Sequence, residues 1–299
     1  MPGTLYIDTA PFIGGAQMSM QDELKRDPSA AAVLSGWDFL GALPAYRLST
    51  HHWRASLSGA WRLWRDVADN RPLLEEAFAR FKPDALYLNT VRSALFVTLC
   101  GVETSGIRLV LRDRDIRMPL LLPRFLEARM PLEVVAVSEA VAAKWRKAPV
   151  RVEPNRLDEE VIRLTVPHRY PWPGPVVIQV ADFVRWKRHD LFLKAFAEAH
   201  RSNPKLHGVI KGRIRTRDDA RWHEAVLRLR ARLGLEESVI VDTSEESALP
   251  YIAGGDILVS CAESEPFGRA MEEARILGKP VIDADALRRR ADQISNLNP

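Results

Sequence analysis

Short apolar runs alternate with longer segments of helical apolar spacing along nearly the whole chain. In the first half, apolar runs predict buried strands at 4–8, 30–34, 85–88, 109–111 and 134–137. In the second half, they predict strands at 176–180, 208–211, 239–241, 256–260 and 280–283. Helical spacing lies between them, including 91–102, 119–128, 139–146 and a long stretch over 51–81 that Pro72 is expected to break. Alternation of strands and helices in both halves predicts an α/β class with two parallel sheets.

The two halves are separated by a proline-rich stretch. Residues 148–175 contain six prolines, which is typical of a linker. We therefore predict a first domain over 1–153, a linker over 154–175 and a second domain over 176–299. In folds of this kind ligands bind beyond the carboxyl ends of the strands, and two such domains are expected to face a cleft.

Composition narrows the function classes. Of 299 residues, 46% are hydrophobic and 27% are charged, as in globular proteins. The net charge of +4 is too small to argue for nucleic acid, although 34 of the 43 basic residues are arginines, which suit phosphate. Cys100 and Cys261 supply neither a disulfide framework nor metal-ligand spacing. The apolar run 93–102 is too short to span a bilayer, so we expect a cytoplasmic protein that at most attaches to the inner face of a membrane.

The strongest candidate site is the segment 265–274, which follows a predicted strand. Pro266 and Gly268 place Glu265 in a loop and predict a helix that begins near Phe267. A helix N-terminus there offers free backbone N–H groups to an anion such as a diphosphate. Helical phase puts Glu273 at the flank of the apolar face, so Glu265 and Glu273 can address one ligand. Two unrelated surface glutamates are the equally weighted alternative.

This segment closely resembles the E-x7-E signature of glycosyltransferase family 4. The matching residues are Glu265 and Glu273 with Pro266-Phe267-Gly268, Ala274 and Gly278-Lys279-Pro280-Val281-Ile282. Further segments resemble family elements in the same order: Gly14-Gly15, Lys82-Pro83-Asp84, Val135-Ala136-Val137-Ser138-Glu139, Asn155 with Asp158, and Trp186-Lys187-Arg188-His189-Asp190. The resemblance spans about residues 3 to 283.

The resemblance implies a GT-B fold, which is two Rossmann-like domains. It implies transfer of a sugar from a UDP- or GDP-linked donor to a glycan, glycolipid or small acceptor. Retention at the anomeric carbon is implied, with no required metal or other cofactor. Glu265 would contact the donor sugar beside the backbone of Phe267 and Gly268, and Glu273 would hold the ribose hydroxyls. Lys187 would bind the diphosphate, and Gly14-Gly15 would allow close approach of the backbone to it.

Several positions depart from the family pattern. Where members have Gly-Arg before the lysine loop, this chain has Ala181-Asp182, and the carboxylate would repel phosphate. We hypothesise that Arg185 or Arg188 compensates. Where many members have a histidine near the sugar, Asp113 or Asp115 could take a polar role toward donor or acceptor, and a structural charge pair is the equal alternative. Arg156 replaces the glycine of the linker motif. The tail 286–299 looks unrelated to the family, and we expect a shortened second domain.

A tryptophan stripe adds a second feature. Trp53, Leu57, Trp61, Trp64 and Ala68 share one helical face within 51–68, and arginines lie off it. An interfacial helix that touches anionic lipid is one interpretation. We favour a helix that packs on the core of the first domain, because tryptophan stripes usually pack.

Three function classes follow from these features. The favoured class is an active glycosyltransferase of hexosyltransferase type, as is typical of polysaccharide biosynthesis. A degenerate protein that binds a nucleotide sugar without turnover is the alternative, because of Asp182 and the short C-terminus. An epimerase or inverting enzyme of the same architecture is disfavoured by the E-x7-E spacing.

Overall fold

A computed structural model of the chain describes residues 3–51, 56–116, 118–119 and 121–294, and side chains up to residue 289. The chain divides into two compact units, Met1–Leu157 and Asp158–Pro299. The α/β class with two parallel sheets is confirmed. Each unit has its own apolar core.

The first unit is built on a parallel sheet of seven strands in the order β3-β2-β1-β4-β5-β6-β7. Its strands are β1 (Thr4–Asp8), β2 (Ala30–Ser35), β3 (Ala45–Arg47), β4 (Ala85–Leu88), β5 (Arg108–Asp113), β6 (Leu132–Ala136) and β7 (Val150–Val152). Its helices are α1 (Gly15–Leu24), α2 (Leu57–Phe81), α3 (Val91–Cys100), α4 (Leu121–Arg129) and α5 (Glu139–Ala142). The strand order reverses between β1 and β4, which is where ligands bind in such sheets.

The second unit repeats this plan with five parallel strands in the order β10-β9-β8-β11-β12. The strands are β8 (Val176–Val180), β9 (His207–Lys211), β10 (Val239–Asp242), β11 (Ile257–Val259) and β12 (Val281–Ile282). The helices are α6 (Glu159–Arg163), α7 (His189–Ser202), α8 (Arg217–Arg232), α9 (Leu249–Gly254), α10 (Arg269–Ile276) and α11 (Ala284–Ile294). Here the order reverses between β8 and β11, so the loops after these two strands meet at one point.

The longest helix differs from its prediction in two ways. α2 runs through Pro72 without a break. Its buried residues are Gly59, Asp66, Asn70, Leu74 and Ala77, whereas Leu57, Trp61 and Trp64 are exposed. The expected core packing of the tryptophan stripe is therefore wrong for these three residues, because the opposite face carries the helix's contacts. Trp53 lies outside the described residues.

Polar side chains on the buried face of α2 attach it to the chain that follows β3. The carboxamide of Asn70 donates to the carbonyl of Ser49 (2.8 Å) and accepts from the amide of Ser49 (2.7 Å). The carboxylate of Asp66 accepts from the amide of His51 (2.9 Å) and contacts its ring. The rotation of α2 is thus fixed by hydrogen bonds as well as by Leu74 and Ala77.

The C-terminal segment contains a helix that was not predicted. No element was predicted for the tail 286–299, but α11 occupies Ala284–Ile294 and buries Leu287 in the core of the second unit. Arg288 Nε lies 3.1 Å from Glu198 on α7. An amphipathic pattern with few apolar residues is enough for this helix, because α7 supplies the surface it packs on.

Candidate functional site

The loops that follow β8 and β11 meet at the switch point of the second sheet. The amide of Glu263 donates to the carbonyl of Trp186 (3.0 Å), which joins the two loops through their backbones. Lys187 and Glu265 form an ion pair between the Nζ and Oε2 atoms, with side chains that are 18% and 21% exposed. Two residues selected from separate motifs thus lie in direct contact, with enough exposure for a ligand to reach them.

A short 3₁₀ turn over Arg185–Lys187 shapes the lysine loop. Gln179 donates to the carbonyl of Lys187 (2.8 Å), and the ammonium of Lys187 lies 4.2 Å from the ring centre of Trp186. Arg188 follows in the left-handed conformation (φ 53°), which most side chains disfavour. The backbone of this loop is therefore strained at the residue beside the lysine.

Arg185 and Arg188 both have partners within this unit. The guanidinium of Arg185 lies 5.0 Å from the ring centre of Trp222. Arg188 donates from Nε to Asp190 Oδ1 (3.0 Å), and its Nη1 atom lies 3.8 Å from Glu263. Either arginine would have to leave or share a partner to serve a diphosphate.

Asp182 has a counter-charge, Arg213, that was not predicted from the sequence. Arg213 follows β9, and both its amide and its Nε atom approach Asp182 Oδ1, at 3.3 and 3.4 Å. Arg213 therefore offsets the repulsion expected of Asp182. The signal was present in the sequence, since a basic run, Lys211-Gly212-Arg213, follows a predicted strand.

The helix after the Glu265 loop begins later than predicted. α10 starts at Arg269, and Gly268 precedes it with φ 75°. A Cβ atom at Gly268 would lie 2.1 Å from Cε of Met271 and 3.0 Å from Cγ of Glu265. The helix cannot begin at Phe267 because Gly268 adopts the left-handed conformation, which also brings the chain close to Glu265.

Glu273 faces inward, as its helical phase predicts. It is buried and accepts from Arg269 Nε one turn earlier (2.8 Å). Glu272 is half-buried and pairs with Arg275. The two adjacent glutamates therefore have different surroundings.

In the first unit, Gly14 and Gly15 lie after β1, at the switch point of that sheet. The amide of Gly14 donates to Gln17 Oε1 (2.9 Å), and Gln17 donates to Asp8 Oδ2 (2.8 Å). Asp8 also accepts from Asn89 (2.6 Å) and is fully buried, and this burial raises its pKa. A Cβ atom at Gly15 would meet no atom within 4 Å. The fold itself therefore leaves room for a side chain at Gly15.

Asp113 and Asp115 differ sharply in exposure. Asp113 is fully buried, and its Oδ2 atom accepts from Trp145 Nε1 (2.8 Å) and pairs with Lys144 (2.9 Å). Its Oδ1 atom accepts from the amide of Asp115 (3.0 Å). Asp115 is exposed, and its carbonyl accepts from Lys144. Of the two, only Asp115 is exposed as a residue.

The neighbouring arginines form a buried polar network. Arg112 and Arg114 both contact Glu23 Oε1, at 3.1 and 3.0 Å. Arg114 also donates to Asn155 Oδ1 (3.0 Å), and Arg112 donates to the carbonyl of Pro154 (3.1 Å). These arginines hold the chain that leaves the first unit.

His189, the first residue of α7, is buried with both ring nitrogens engaged. Nε2 lies 3.2 Å from the carbonyl of Ala181, and Trp222 Nε1 donates to Nδ1 (3.2 Å). This arrangement requires the neutral ring, and burial lowers the pKa of His189 to about 4. His189 therefore ties both ends of the lysine loop to α8 as an uncharged group.

The described residues contain no group of three or more His, Cys, Asp or Glu side chains placed to hold a metal ion. Both cysteines are free and buried, and burial raises the pKa of each thiol to about 12. Among the described helices, none is both long enough and apolar enough to cross a bilayer.

Comparison with known proteins places this geometry in context. Residues 168–296 match the family model for glycosyl transferases group 1. This match includes the Lys187 loop, the Glu265 loop and α10. No curated protein matches the chain in sequence.

Solved structures resemble nearly the whole chain. Anabaena Alr3699/HepE in complex with UDP and glucose superposes with a TM-score of 0.73 at 20% identity, over 95% of this chain and 80% of its own. Sucrose-phosphate synthase from Thermosynechococcus elongatus gives 0.75 at 15% identity, over 94% and 81%. A glycosyltransferase from Rickettsia africae gives 0.70 at 14% identity, over 99% and 89%. These likenesses show that the chain has the GT-B fold.

Proposed function

We propose that the protein is a glycosyltransferase that moves a sugar from a nucleotide-sugar donor to an acceptor with retention at the anomeric carbon. The observation that carries the proposal is the contact of Lys187 with Glu265 at the switch point of the second sheet, inside the stretch that matches glycosyl transferases group 1. A cation and a carboxylate side by side suit a ligand that joins a diphosphate to a sugar.

Each donor group has a proposed partner. Lys187 binds the diphosphate, Glu265 contacts the sugar, and Glu273 holds the ribose hydroxyls. In the second unit, the backbone of Phe267 and Gly268 contacts the donor. In the first unit, Gly14 and Gly15 are proposed as donor-binding residues. A UDP- or GDP-linked hexose is the proposed donor class, and the HepE structures with UDP and UDP-glucose support the former.

The chemistry follows from charge. When the bond from the anomeric carbon to the diphosphate breaks, the leaving group gains negative charge. The acceptor's hydroxyl oxygen forms the new bond on the same face of the sugar, and its proton passes to an oxygen of the departing diphosphate. Lys187 and the N-terminal amides of α10 stabilise the departing diphosphate, with no metal required.

The acceptor is a glycan, a glycolipid or a small molecule with a free hydroxyl. We assign a polar role toward donor sugar or acceptor to Asp115, because it is exposed. Asp113 instead acts as a positioning residue, because Trp145 and Lys144 occupy its carboxylate. We further propose that the enzyme works in the cytoplasm, in keeping with its two free, buried cysteines.

A panel of UDP- and GDP-sugars tests the proposal. The wild-type protein should hydrolyse or transfer at least one donor, and Glu265→Gln should remove that turnover while the exposed Glu237→Gln should not. Product stereochemistry by NMR tests retention, and an inverted product would favour the inverting or epimerase alternative. If no donor is turned over, the proposal that the protein is an active glycosyltransferase is rejected.

The arginines near Lys187 need a separate experiment. If Arg185 or Arg188 supports the diphosphate, Arg185→Ala/Arg188→Ala should weaken UDP or GDP binding in calorimetry. Unchanged affinity would reject this role. Arg213→Met leaves Asp182 uncompensated and should weaken nucleotide binding even if the other two arginines play no part.

A non-catalytic nucleotide-sugar-binding protein is the second candidate. Two features favour it: Lys187 is already neutralised by Glu265, and Asp182 places a carboxylate where the family resemblance implies an arginine. Binding of a nucleotide diphosphate without turnover of any sugar donor would support this candidate.

A further inference from the structure

The first two turns of α2 present large apolar side chains to solvent. Leu57, Trp61 and Trp64 are 94%, 58% and 67% exposed. Their spacing of four and three residues puts them on one face of the helix. We call Leu57, Trp61 and Trp64, together with Arg62 and Arg65, the α2 surface.

The fold imposes this exposure. At about 100° per residue the apolar stripe lies opposite Gly59, Asp66 and Asn70, which are buried. Turning α2 to bury the tryptophans would break the bonds of Asp66 to His51 and of Asn70 to Ser49. The stripe therefore cannot be covered by the helix's own unit through a simple rotation.

The charged residues at the start of α2 and just before it are all positive. Residues 51–65 contain three arginines and no aspartate or glutamate. Arg62 and Arg65 are exposed, and the guanidinium of Arg65 lies 5.4 Å from the ring centre of Trp61. The first acidic residue, Asp66, is buried and engaged with His51, and Asp69 lies 3.7 Å from Arg65 beyond the tryptophans.

We propose that the α2 surface docks on an anionic lipid bilayer, with the helix lying in the plane of the interface. Tryptophan rings favour the boundary between headgroups and acyl chains, where an apolar ring and a polar N–H are both accommodated. Each arginine near an anionic surface adds about 1 kcal/mol, which is roughly a fivefold gain in binding. Exposed tryptophans flanked by arginines, without acidic residues, are complementary to this surface.

Vesicle flotation tests the proposal on the full chain. Wild-type protein should float with vesicles that contain phosphatidylglycerol and much less with phosphatidylcholine alone. Trp61→Ser/Trp64→Ser should reduce binding to anionic vesicles by on the order of tenfold or more. Arg62→Ala/Arg65→Ala should abolish most of the preference for anionic lipid, and brominated lipid should quench tryptophan emission only when Trp61 and Trp64 are present.

Matched control variants distinguish binding through the α2 surface from nonspecific binding to vesicles. Leu164→Ala/Val166→Ala removes exposed apolar side chains from the second unit, and Arg221→Ala/Arg228→Ala removes exposed arginines there. Neither should change flotation. If the tryptophan variant has a lowered Tm, Leu57→Ser replaces it as the test variant, because Leu57 is almost fully exposed. Leu57→Ser should lower binding to vesicles with an unchanged Tm.

Three outcomes would overturn the proposal. The proposal that the α2 surface binds a membrane is rejected if the protein does not float with vesicles. It is also rejected if wild type and the α2 variants float equally. A wild-type dimer in light scattering that Trp61→Ser/Trp64→Ser converts to a monomer would show that a second copy covers the surface. Sugar transfer to a soluble acceptor should be unchanged in the α2 variants, so failure of this proposal is distinguishable from failure of the proposed enzyme.

Discussion

Lys187 and Glu265 neutralise one another although 78 positions separate them in the chain. The two side chains reach each other because β8 and β11 are neighbours in the sheet and their loops leave the same edge. A ligand phosphate that binds Lys187 must compete with the carboxylate. The same carboxylate is proposed to meet the sugar, so donor binding would redistribute one existing ion pair.

This competition predicts opposite effects for two substitutions. Glu265→Gln should tighten binding of UDP or GDP several-fold, because Lys187 loses its internal partner, while turnover disappears. Lys187→Met should weaken the same binding by about tenfold or more. Isothermal calorimetry measures both. Shifts in the same direction would show that the ion pair and the phosphate do not compete.

Glu273 is expected to affect both stability and nucleotide recognition. Glu273→Gln removes the buried negative charge that pairs with Arg269 and should lower the free energy of unfolding by about 1–3 kcal/mol. Glu272→Gln, on a half-buried neighbour, should change it by less than about 0.5 kcal/mol. Urea denaturation gives both values.

A ribose analogue isolates the proposed binding role of Glu273 from its structural one. Wild-type protein should prefer UDP to its 2′,3′-dideoxy analogue, and Glu273→Gln should lose that preference. If the preference persists while stability falls, Glu273 serves only to hold Arg269.

Two glycines should respond differently to alanine. Gly268→Ala forces a side chain into the left-handed region against Met271 and Glu265, and should cost at least about 1–2 kcal/mol of unfolding free energy. Gly15→Ala meets no atom and should leave Tm nearly unchanged, yet weaken donor binding if a phosphate approaches there. Thermal melting beside nucleotide titration checks the pair. A Gly15→Ala variant with full donor affinity would remove Gly15 from the site.

His189 predicts a specific pH dependence. Its pKa of about 4 lies below the ordinary value of 6.5, so the neutral ring stabilises the fold fully above pH 6.5. This contribution, up to about 3 kcal/mol, is lost as pH falls from 6.5 toward 4. His189→Phe removes the titration and keeps an aromatic ring beside Phe183, so its stability should fall less steeply across this window. Equal slopes in wild type and variant would contradict this role.

The sequence predicted the regular core elements well. β1 over Thr4–Asp8 and β8 over Val176–Val180 match their predicted ranges, because fully buried parallel strands are continuous apolar runs. β3 and β7 were not predicted, because each has only three residues at a sheet edge and little burial. Short edge strands lack the apolar signal on which the prediction depends.

The candidate site was predictable in its parts but not in its contacts. Glu265, Lys187 and Glu273 were selected from local motifs, and their positions as site residues remain predictions. The pairing of Asp182 with Arg213 depends on the register of β8 and β9, which local patterns do not specify. The exposed tryptophans were misjudged because Asp66 and Asn70, two polar residues, form the buried face of α2.

Asn70 also has a consequence for the rim of the seven-stranded sheet. Leu48 donates its amide to Ser35 of β2, so the amide and carbonyl of Ser49 point away from the sheet, as alternate residues of a strand do. At the end of β3, an N–H and a C=O that point outward without partners could form hydrogen bonds with a strand of another molecule. The single carboxamide of Asn70 forms hydrogen bonds with both the N–H and the C=O of Ser49, as a neighbouring strand would. This position of the sheet edge is therefore closed to pairing with another molecule.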